Sequence, residues 1–158
     1  TFHAAWTARD LKAIRPFLSD GLFERQRYWI RAYEETGLRN VSEGAHIVSV
    51  QVARVLSDKH YDAITVRVYA SGLDYTLDEQ GKVVGGDRRK PREYSEYWTF
   101  IRGRAASGPA RTDAACPSCG APLAISMAGH CEHCNAKVTR GDFDWVLSRM
   151  EQDESYTG

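Results

Sequence analysis

The residues with the clearest chemical potential are four cysteines in the last third of the 158-residue chain. They form two C-x-x-C pairs, Cys116 with Cys119 and Cys131 with Cys134, and eleven residues separate the pairs. Each pair presents two sulfurs from one tight turn, and four thiolates about 2.3 Å from a shared centre complete a tetrahedral zinc site. The spacing therefore predicts a zinc ribbon, which we place at residues 112–140.

Disulfide bonds and thiol redox chemistry also use paired cysteines. Disulfide frameworks usually spread their cysteines along the chain, whereas this chain has none outside the two pairs, so metal binding is favoured. His130 and His133 could replace a thiolate, but beside four cysteines we interpret them as exposed residues of the turns. Four protein ligands leave no open position for water or substrate, so the zinc is expected to be structural.

The overall composition is that of a globular chain with no strong charge bias. Hydrophobic residues make up 42% and aromatic residues 11%, which excludes a disordered, collagen-like or coiled-coil protein. Because 21 basic residues balance 21 acidic ones, no global field gathers nucleic acid or anionic lipid. The ribbon itself has only Lys137 and Arg140 as nearby cations. Nucleic-acid binding by the ribbon is therefore a disfavoured alternative.

The densest run of cations comprises Arg88, Arg89, Lys90 and Arg92. Each cation near an anionic membrane contributes about 1 kcal/mol, so the four together support only a millimolar-scale attachment. The run is typical of a solvated hairpin loop, and membrane or other anion binding through it requires a second anchor. No apolar run approaches the ~18 residues of a membrane span. Since the chain begins at Thr1 without an initiator Met, we expect a fragment whose upstream part holds that anchor.

Two helices are predicted in the first part of the chain. Thr7 and Asp10 have the spacing of a capping box, and the helix that they would begin is expected to end or kink at Pro16. Ser19 offers an N-cap for a second helix that stops before Gly37.

Strands are predicted after residue 45, where the spacing of the apolar residues changes from the 3.6 residues of a helix to the 2 residues of a strand. Two runs rich in β-branched residues, Ile47–Leu56 and Tyr61–Ala70, predict antiparallel strands, and a turn is expected at residues 78–82. A third strand, Glu93–Arg102, has large apolar groups on both faces, which predicts cover on both sides. Helices followed by strands indicate an α+β domain with the helices on one face of a curved antiparallel sheet.

The end of the chain is less clearly patterned. Residues Gly103–Ala115 have the composition of a linker, and Phe143–Met150 suits either a helix or a strand.

Five segments of the chain form one more pattern: Trp6–Leu11, Pro16–Ser19, Gly37–Val41, Asp74–Thr76 and Glu96–Arg102. Together they resemble the TIM forty-four-like (Tim44-like) domain family, named after the membrane anchor of the mitochondrial protein-import motor and also present in bacteria. The resemblance covers nearly the whole chain outside the ribbon.

The resemblance implies a cone similar to nuclear transport factor two, in which helices pack on a curved antiparallel sheet and enclose an apolar pocket. Residues 1–104 and 141–158 would form this cone, with the zinc ribbon inserted between its last two strands, as in bacterial members. The family's final hairpin would pair Trp98–Arg102 with Trp145–Leu147, which favours a strand at the end of the chain.

The function implied by the resemblance is a non-enzymatic, membrane-associated binding or scaffold domain linked to protein translocation. Its pocket would take a lipid or a hydrophobic peptide, and its ribbon would dock a protein partner. The import-motor function is not transferred, because the motor's partners are mitochondrial. Cysteine thiolates favour the reducing side of a membrane, so we expect the cytoplasmic side of the bacterial inner membrane.

An enzyme is the main alternative, because cone folds also host isomerases and dehydratases. The acid–base candidates would be His60, Tyr69, Asp74 and Tyr75. The sequence does not place any pair of them inside a pocket, so we predict no catalytic residue.

Overall fold

The computed structural model describes residues 2–106 and 115–158, which form helices followed by one sheet. The elements are α1 (Phe2–Ala8), α2 (Leu11–Ile14), a 3-10 turn (Arg15–Phe17), α3 (Asp20–Glu35), β1 (Arg39–Ser57), β2 (Tyr61–Leu77), β3 (Val83–Gly103) and β4 (Val146–Gln152). The four strands lie in the order β1-β2-β3-β4, and each is antiparallel to its neighbour. The predicted α+β class is confirmed. None of the described helices is both long and apolar enough to cross a bilayer.

The start of the chain differs from the predicted capping box. Helix α1 begins at Phe2 and already contains Thr7, whose hydroxyl accepts from the backbone N of Ser42 over 2.9 Å and donates to its carbonyl over 3.0 Å. Arg9 has a left-handed φ of 57°, which separates α1 from α2. Asp10 is the N-cap of α2 and accepts from the backbone N of Ala13 over 3.1 Å. The spacing of Thr7 and Asp10 matched a single capped helix, but the two residues serve different elements.

Helix α3 has the limits that its end signals predict. The Ser19 hydroxyl accepts from the backbone N of Leu22 over 3.3 Å, as expected of an N-cap. At the other end Gly37 takes a φ of 65°, which a residue without a Cβ adopts at little cost. The buried face of the helix includes Leu22, Phe23 and Ile30.

The strands are longer than the periodicity predicted, and one prediction about them is wrong. The turn between β2 and β3 lies at Asp78–Lys82, as expected. The basic run is not a hairpin loop but lies inside β3. There Asp87 pairs with Asp74, Arg92 pairs with Gly72, and the register shifts between the two pairs. Because five residue steps of β3 lie against two of β2 there, the cations sit on an irregular stretch of strand.

The core lies between the helices and one face of the sheet. Its buried members are Ile14, Leu18, Leu22, Phe23 and Leu147, and Trp98, Phe100 and Met150 pack against them from β3 and β4. The opposite face of β3 is also covered, because the ring of Tyr156 stacks on that of Tyr97 with the centroids 3.8 Å apart. The predicted cover on both sides of β3 is confirmed.

The last segment is a strand, as the family resemblance favoured, and the helical interpretation is wrong. Strand β4 pairs with β3 so that Met150 lies opposite Trp98 and Leu147 opposite Phe100. The backbone N of Ser19 donates to the carbonyl of Leu147 over 2.9 Å. This bond fixes the beginning of α3 to the sheet.

The cysteine-containing unit is inserted between β3 and β4. Its two ends meet where the backbone N of Gly103 donates to the carbonyl of Gly141 over 2.7 Å. The division into residues 1–104 with 141–158 and a ribbon at 112–140 stays a prediction. Its boundary at residue 112, and residues 107–114 of the predicted linker, lie outside the described residues.

Candidate metal centre and cleft

The structure brings the four cysteine sulfurs together. The Sγ atoms of Cys116, Cys119, Cys131 and Cys134 all lie within 4.8 Å of one another. Those of Cys116 and Cys134 are 3.9 Å apart, and all four thiols are free. Four thiolates around a tetrahedral ion are about 3.8 Å apart, whereas a disulfide requires about 2.05 Å. The donor set therefore fits a single tetrahedral metal ion and not a pair of disulfides.

Two similar turns hold these sulfurs. The backbone N of Gly120 donates to the Cys116 carbonyl, and the backbone N of Asn135 donates to the Cys131 carbonyl, each over 2.9 Å. Gly120 and Asn135 both have left-handed φ values, 74° and 60°, which these residue types tolerate. Inside the turns, backbone N–H groups point at the sulfurs, for example from His133 to Cys131 over 3.4 Å.

These N–H groups favour the thiolate form, but the pKa is lowered for only some of the thiols. The N–H of Ala136 is the largest cause that lowers the pKa of Cys134 to about 7, and the N–H groups of Cys134 and His133 lower the pKa of Cys131. For Cys119 the N–H of Ala121 acts in the same direction, yet burial and the three neighbouring sulfurs outweigh it and raise the pKa to about 11. A metal cation among the sulfurs would stabilise the thiolate form of Cys119 and so lower its pKa again.

Neither nearby histidine belongs to the sulfur cluster. The ring Nδ1 of His130 lies 3.0 Å from the carbonyl oxygen of Asn135, and His133 is exposed. His130 thus contacts the backbone of the second turn.

A buried arginine connects the inserted unit to the helices. Arg15 is 1% exposed, and its Nε donates to the Met127 carbonyl over 2.8 Å. Its guanidinium also donates to the Leu18 carbonyl over 3.0 Å and stacks over the ring of Phe23 at 4.5 Å. Sequence reasoning missed this contact.

The carboxylate of Asp20 is the acidic partner in the same contact. Its carboxylate is paired with Arg15, lies 2.8 Å from the Lys137 ammonium, and accepts from the Thr139 hydroxyl over 3.0 Å. Burial, the largest single influence, raises the pKa of Asp20, but the hydrogen bonds from Lys137, Arg15 and Thr139 together lower it to about 2. Lys137, which the sequence suggested as a free cation of the ribbon, is thus paired with Asp20.

A cleft of about 700 Å³ opens between the helices and the sheet. The helices contribute most of the aromatic side chains of its lining, Phe2, Trp6, Trp29 and Tyr33, together with His3, Arg25 and Gln26. The strands contribute mainly polar ones, including Asn40, Asp74, Arg92, Tyr94 and Glu96. The cleft therefore has one aromatic wall and one polar wall.

Hydrogen bonds link several polar groups of the cleft. The Trp6 indole donates to the Asn40 side chain, which in turn donates to Asp74, both over 2.9 Å. The Tyr94 hydroxyl and the His3 Nε2 are 3.4 Å apart.

Two pKa values in the cleft depart from their ordinary range, both chiefly because of burial. Desolvation lowers the pKa of His3 and raises the pKa of Tyr94. The imidazole and the phenol therefore both favour their neutral forms near pH 7.

Only one of the four acid–base candidates suggested by the sequence lies in the cleft. Asp74 lines it, whereas His60 lies in the exposed turn after β1. Tyr69 contacts Arg67 beside a different, shallower depression, and the ring of Tyr75 is 2% exposed beneath the Arg88 guanidinium. Sequence reasoning missed His3, Tyr94 and Glu96, which lie far apart in the chain and form no local motif.

One cation of the basic run on β3 reaches this cleft. Arg92 lines the cleft itself, 3.7 Å from the Asp74 carboxylate. The Asp87 carboxylate accepts from the backbone N atoms of Arg89 and Lys90 over 2.7 and 3.1 Å. These bonds fix the backbone of the basic run and leave its side chains exposed.

The comparisons with known proteins agree with this architecture. The Tim44-like domain matches residues 2–111, which is more than half of the 158-residue chain and ends before the first cysteine. No curated protein matches the chain. The helices, the sheet and the cleft described above all lie mainly within the matched residues. The chain therefore belongs to the Tim44-like domain family.

Proposed function

We propose that this chain is a non-enzymatic binding or scaffold domain that acts at a membrane surface. Domains of the Tim44-like family generally interact with membranes or proteins and are generally not enzymes. The observation that carries the proposal is that Arg92, the last cation of the basic run on β3, lines a cleft with aromatic side chains on its helical side. A surface that combines cations with an apolar recess suits an amphipathic ligand with an anionic head.

The ligand is a lipid, with a hydrophobic peptide segment as the second possibility. The Phe2, Trp6 and Trp29 rings offer apolar area to a chain that enters the cleft. Arg88, Arg89 and Lys90 lie outside, where an anionic headgroup would remain in contact with water. Two weak contributions, one apolar and one electrostatic, together satisfy the two-signal requirement for stable membrane attachment.

The carboxylates of the cleft favour binding over catalysis. Asp74 accepts from Asn40, and Glu96 accepts from the Trp98 indole over 2.9 Å. Glu151 lies 3.6 Å from the Arg149 guanidinium. Each of these three carboxylates is held by a neighbouring side chain, which supports a role in shaping the polar side of the cleft.

The inserted unit is proposed to be a structural zinc ribbon with Cys116, Cys119, Cys131 and Cys134 as ligands. Zinc is the metal that four thiolates at this spacing most commonly bind. With its coordination complete, the ion would stabilise a unit that has only a small apolar core. The surface of the ribbon would then be available to a protein partner.

The place of action is proposed to be the cytoplasmic side of the bacterial inner membrane, in a longer protein linked to translocation. The support is the family membership together with thiolates that are best preserved in a reducing compartment.

Sedimentation with lipid vesicles tests the membrane proposal. Zinc-loaded protein is mixed with vesicles of phosphatidylcholine alone or with phosphatidylglycerol, at low and at high salt. We expect binding to the anionic vesicles, with a part that resists salt because it depends on the cleft. The Arg88→Gln/Arg89→Gln variant should bind about thirtyfold more weakly, given about 1 kcal/mol for each cation.

The Lys59→Gln/Lys82→Gln variant is the matched control, because it removes two exposed cations that lie in turns outside β3. Equal binding to neutral and anionic vesicles, or the same loss in both double variants, would contradict the proposal.

A further inference from the structure

We propose that two copies of this chain associate through β1, by antiparallel pairing of its segment Ile47–Leu56 with the same segment of the second copy. The pairing would join the two four-stranded sheets into one continuous sheet. It involves neither the cleft nor the sulfur cluster and is independent of the function proposed above.

The first support is that this part of β1 is an open sheet edge. Strand β1 is at the end of the strand order, and among the described strands it pairs with β2 alone. Near its start, α1 lies over the edge, and the Thr7 hydroxyl satisfies both backbone groups of Ser42. Within residues 2–106 and 115–158, no other backbone hydrogen bond reaches the outer edge between His46 and Leu56. The edge is thus closed by a side chain at one end and available for pairing along the rest.

The second support is the composition of the open segment. Its exposed aliphatic side chains are Ile47, Val48, Val50, Val52, Val55 and Leu56. Even the least exposed of them, Leu56, has 48% of its surface in contact with solvent, and Val52 has 68%. Proteins that keep such an edge unpaired protect it with lysine, proline or β-bulges. This segment contains no lysine or proline, and Arg54 is its only charged residue. Its pairing with β2 shifts register between Ile47 and Ser49 and between Val52 and Arg54, so Ser49–Val52 is the regular stretch at its centre.

The third support is that the segment is complementary to itself. Val50, Val52 and Val55 pair with Val68, Val66 and Ile64 of β2, which places them on one face of the sheet. A two-fold axis through Gln51 sets Val50 opposite the second copy's Val52, so that aliphatic side chains meet on that face. Such a self-complementary contact closes with two copies and does not propagate.

Charge favours a second copy over a peptide of another kind. In this register the two copies of Arg54 lie on opposite sides of the axis, about 20 Å apart along the strands. The pairing therefore brings no like charges together, whereas a strongly charged partner strand would find only Arg54 to pair with along Ile47–Leu56.

The size of the contact indicates a reversible dimer. Six half-exposed aliphatic side chains hide on the order of 300–400 Å² per copy, and the backbone ladder adds to this. The total lies below the ~800 Å² per partner of a standard interface, in the range of weak and transient contacts. We therefore expect association at micromolar concentration.

Sedimentation velocity on the zinc-loaded chain tests the proposal. Between about 1 and 100 μM the average mass should rise from 17.8 kDa toward twice that value. The Val50→Lys/Val52→Lys variant should stay at the monomer mass over this range, because two-fold symmetry places four ammonium groups together. Val84→Lys is the matched control: it changes an exposed valine of β3 and should dimerise like the unaltered chain.

A second variant tests the register. Gln51→Cys should form a cross-linked dimer in oxidised glutathione, because residues opposite themselves at a two-fold axis lie within disulfide distance. Gln80→Cys, in the exposed turn after β2, should cross-link at least tenfold more slowly. A monomer mass at every concentration, dimerisation of the lysine double variant, or assembly beyond two copies would overturn the proposal. So would equal cross-linking of the two cysteine variants.

Discussion

Arg15 and Thr139 are 124 residues apart in the chain, yet the Arg15 guanidinium donates to the Thr139 hydroxyl over 3.3 Å. The same side chain donates to carbonyls of both the helical segment and the inserted unit. One arginine thereby holds the ribbon against the domain into which it is inserted, and the stability of the two parts is coupled.

Replacing this arginine should destabilise the whole chain. Arg15→Met retains much of the apolar stem but leaves the Met127 and Leu18 carbonyls without their donor. We expect a loss of about 2–4 kcal/mol in the free energy of unfolding, measured by urea denaturation of the zinc-loaded protein. Arg27→Met is the control: Arg27 pairs with Glu24 on the surface of α3, so its loss should cost about 0.5 kcal/mol or less. Similar losses in both variants would contradict the role assigned to Arg15.

Metal analysis should find one zinc ion per chain. Cys131→Ser should abolish binding, whereas His133→Ala should retain full stoichiometry because His133 is exposed and outside the sulfur cluster. On chelation, amide hydrogen exchange should accelerate in the ribbon first, while the paired parts of β2 and β3 stay protected. Protein that contains no metal, or a His133→Ala variant that loses it, would refute this assignment.

Gly129 should be the least replaceable glycine of the ribbon. It has a φ of 81°, and a Cβ atom there would lie 2.5 Å from Nη2 of Arg15 and closer still to the Thr139 hydroxyl. We expect Gly129→Ala to cost at least about 2 kcal/mol in thermal or urea unfolding, because both strain and the displaced arginine contribute.

Gly21→Ala provides the comparison for that variant. Gly21 lies in α3, and a Cβ atom added there would meet nothing within 4 Å, so alanine should stabilise the chain by about 0.5–1 kcal/mol. If both alanine variants were equally stable, the crowding at Gly129 would make no contribution to the free energy of unfolding.

The buried imidazole of the cleft predicts a pH dependence. Because burial lowers the pKa of His3 in the folded state, the unfolded chain binds the proton more tightly. The contribution of His3 to stability is therefore complete above its ordinary pKa of 6.5 and declines as the pH falls below that value. Urea unfolding between pH 8 and pH 5.5 should show a decline that is absent in His3→Gln. An NMR titration that places the His3 pKa at or above 6.5 would contradict the burial argument.

Signals that act over a few residues predicted much of the fold. Ser19 caps α3 because its hydroxyl needs only the next turn of chain, and two C-x-x-C turns bring their sulfurs together wherever they are attached. The prediction from Thr7 and Asp10 was wrong because a change at a single residue can override such a short-range signal. A left-handed Arg9 between them was enough to split one expected helix into two.

Contacts between distant segments were not predictable in this way. The only local sign of the ribbon contact was a basic and an acidic residue, Arg15 and Asp20, on either side of a helix start. Their partners Lys137 and Thr139 are more than a hundred residues away. Likewise, His3 meets Tyr94 only because α1 folds over the sheet. The strand at β4 was favoured by the family resemblance, since periodicity alone suited a helix equally well.

The bond between Gly103 and Gly141 means that the chain leaves the sheet and returns to it at nearly the same point. A segment whose ends already touch can be exchanged for any other compact unit with equally close ends, and the strands on either side need not adjust. The connection between β3 and β4 is therefore a position where one compact unit could replace another while the sheet stays intact.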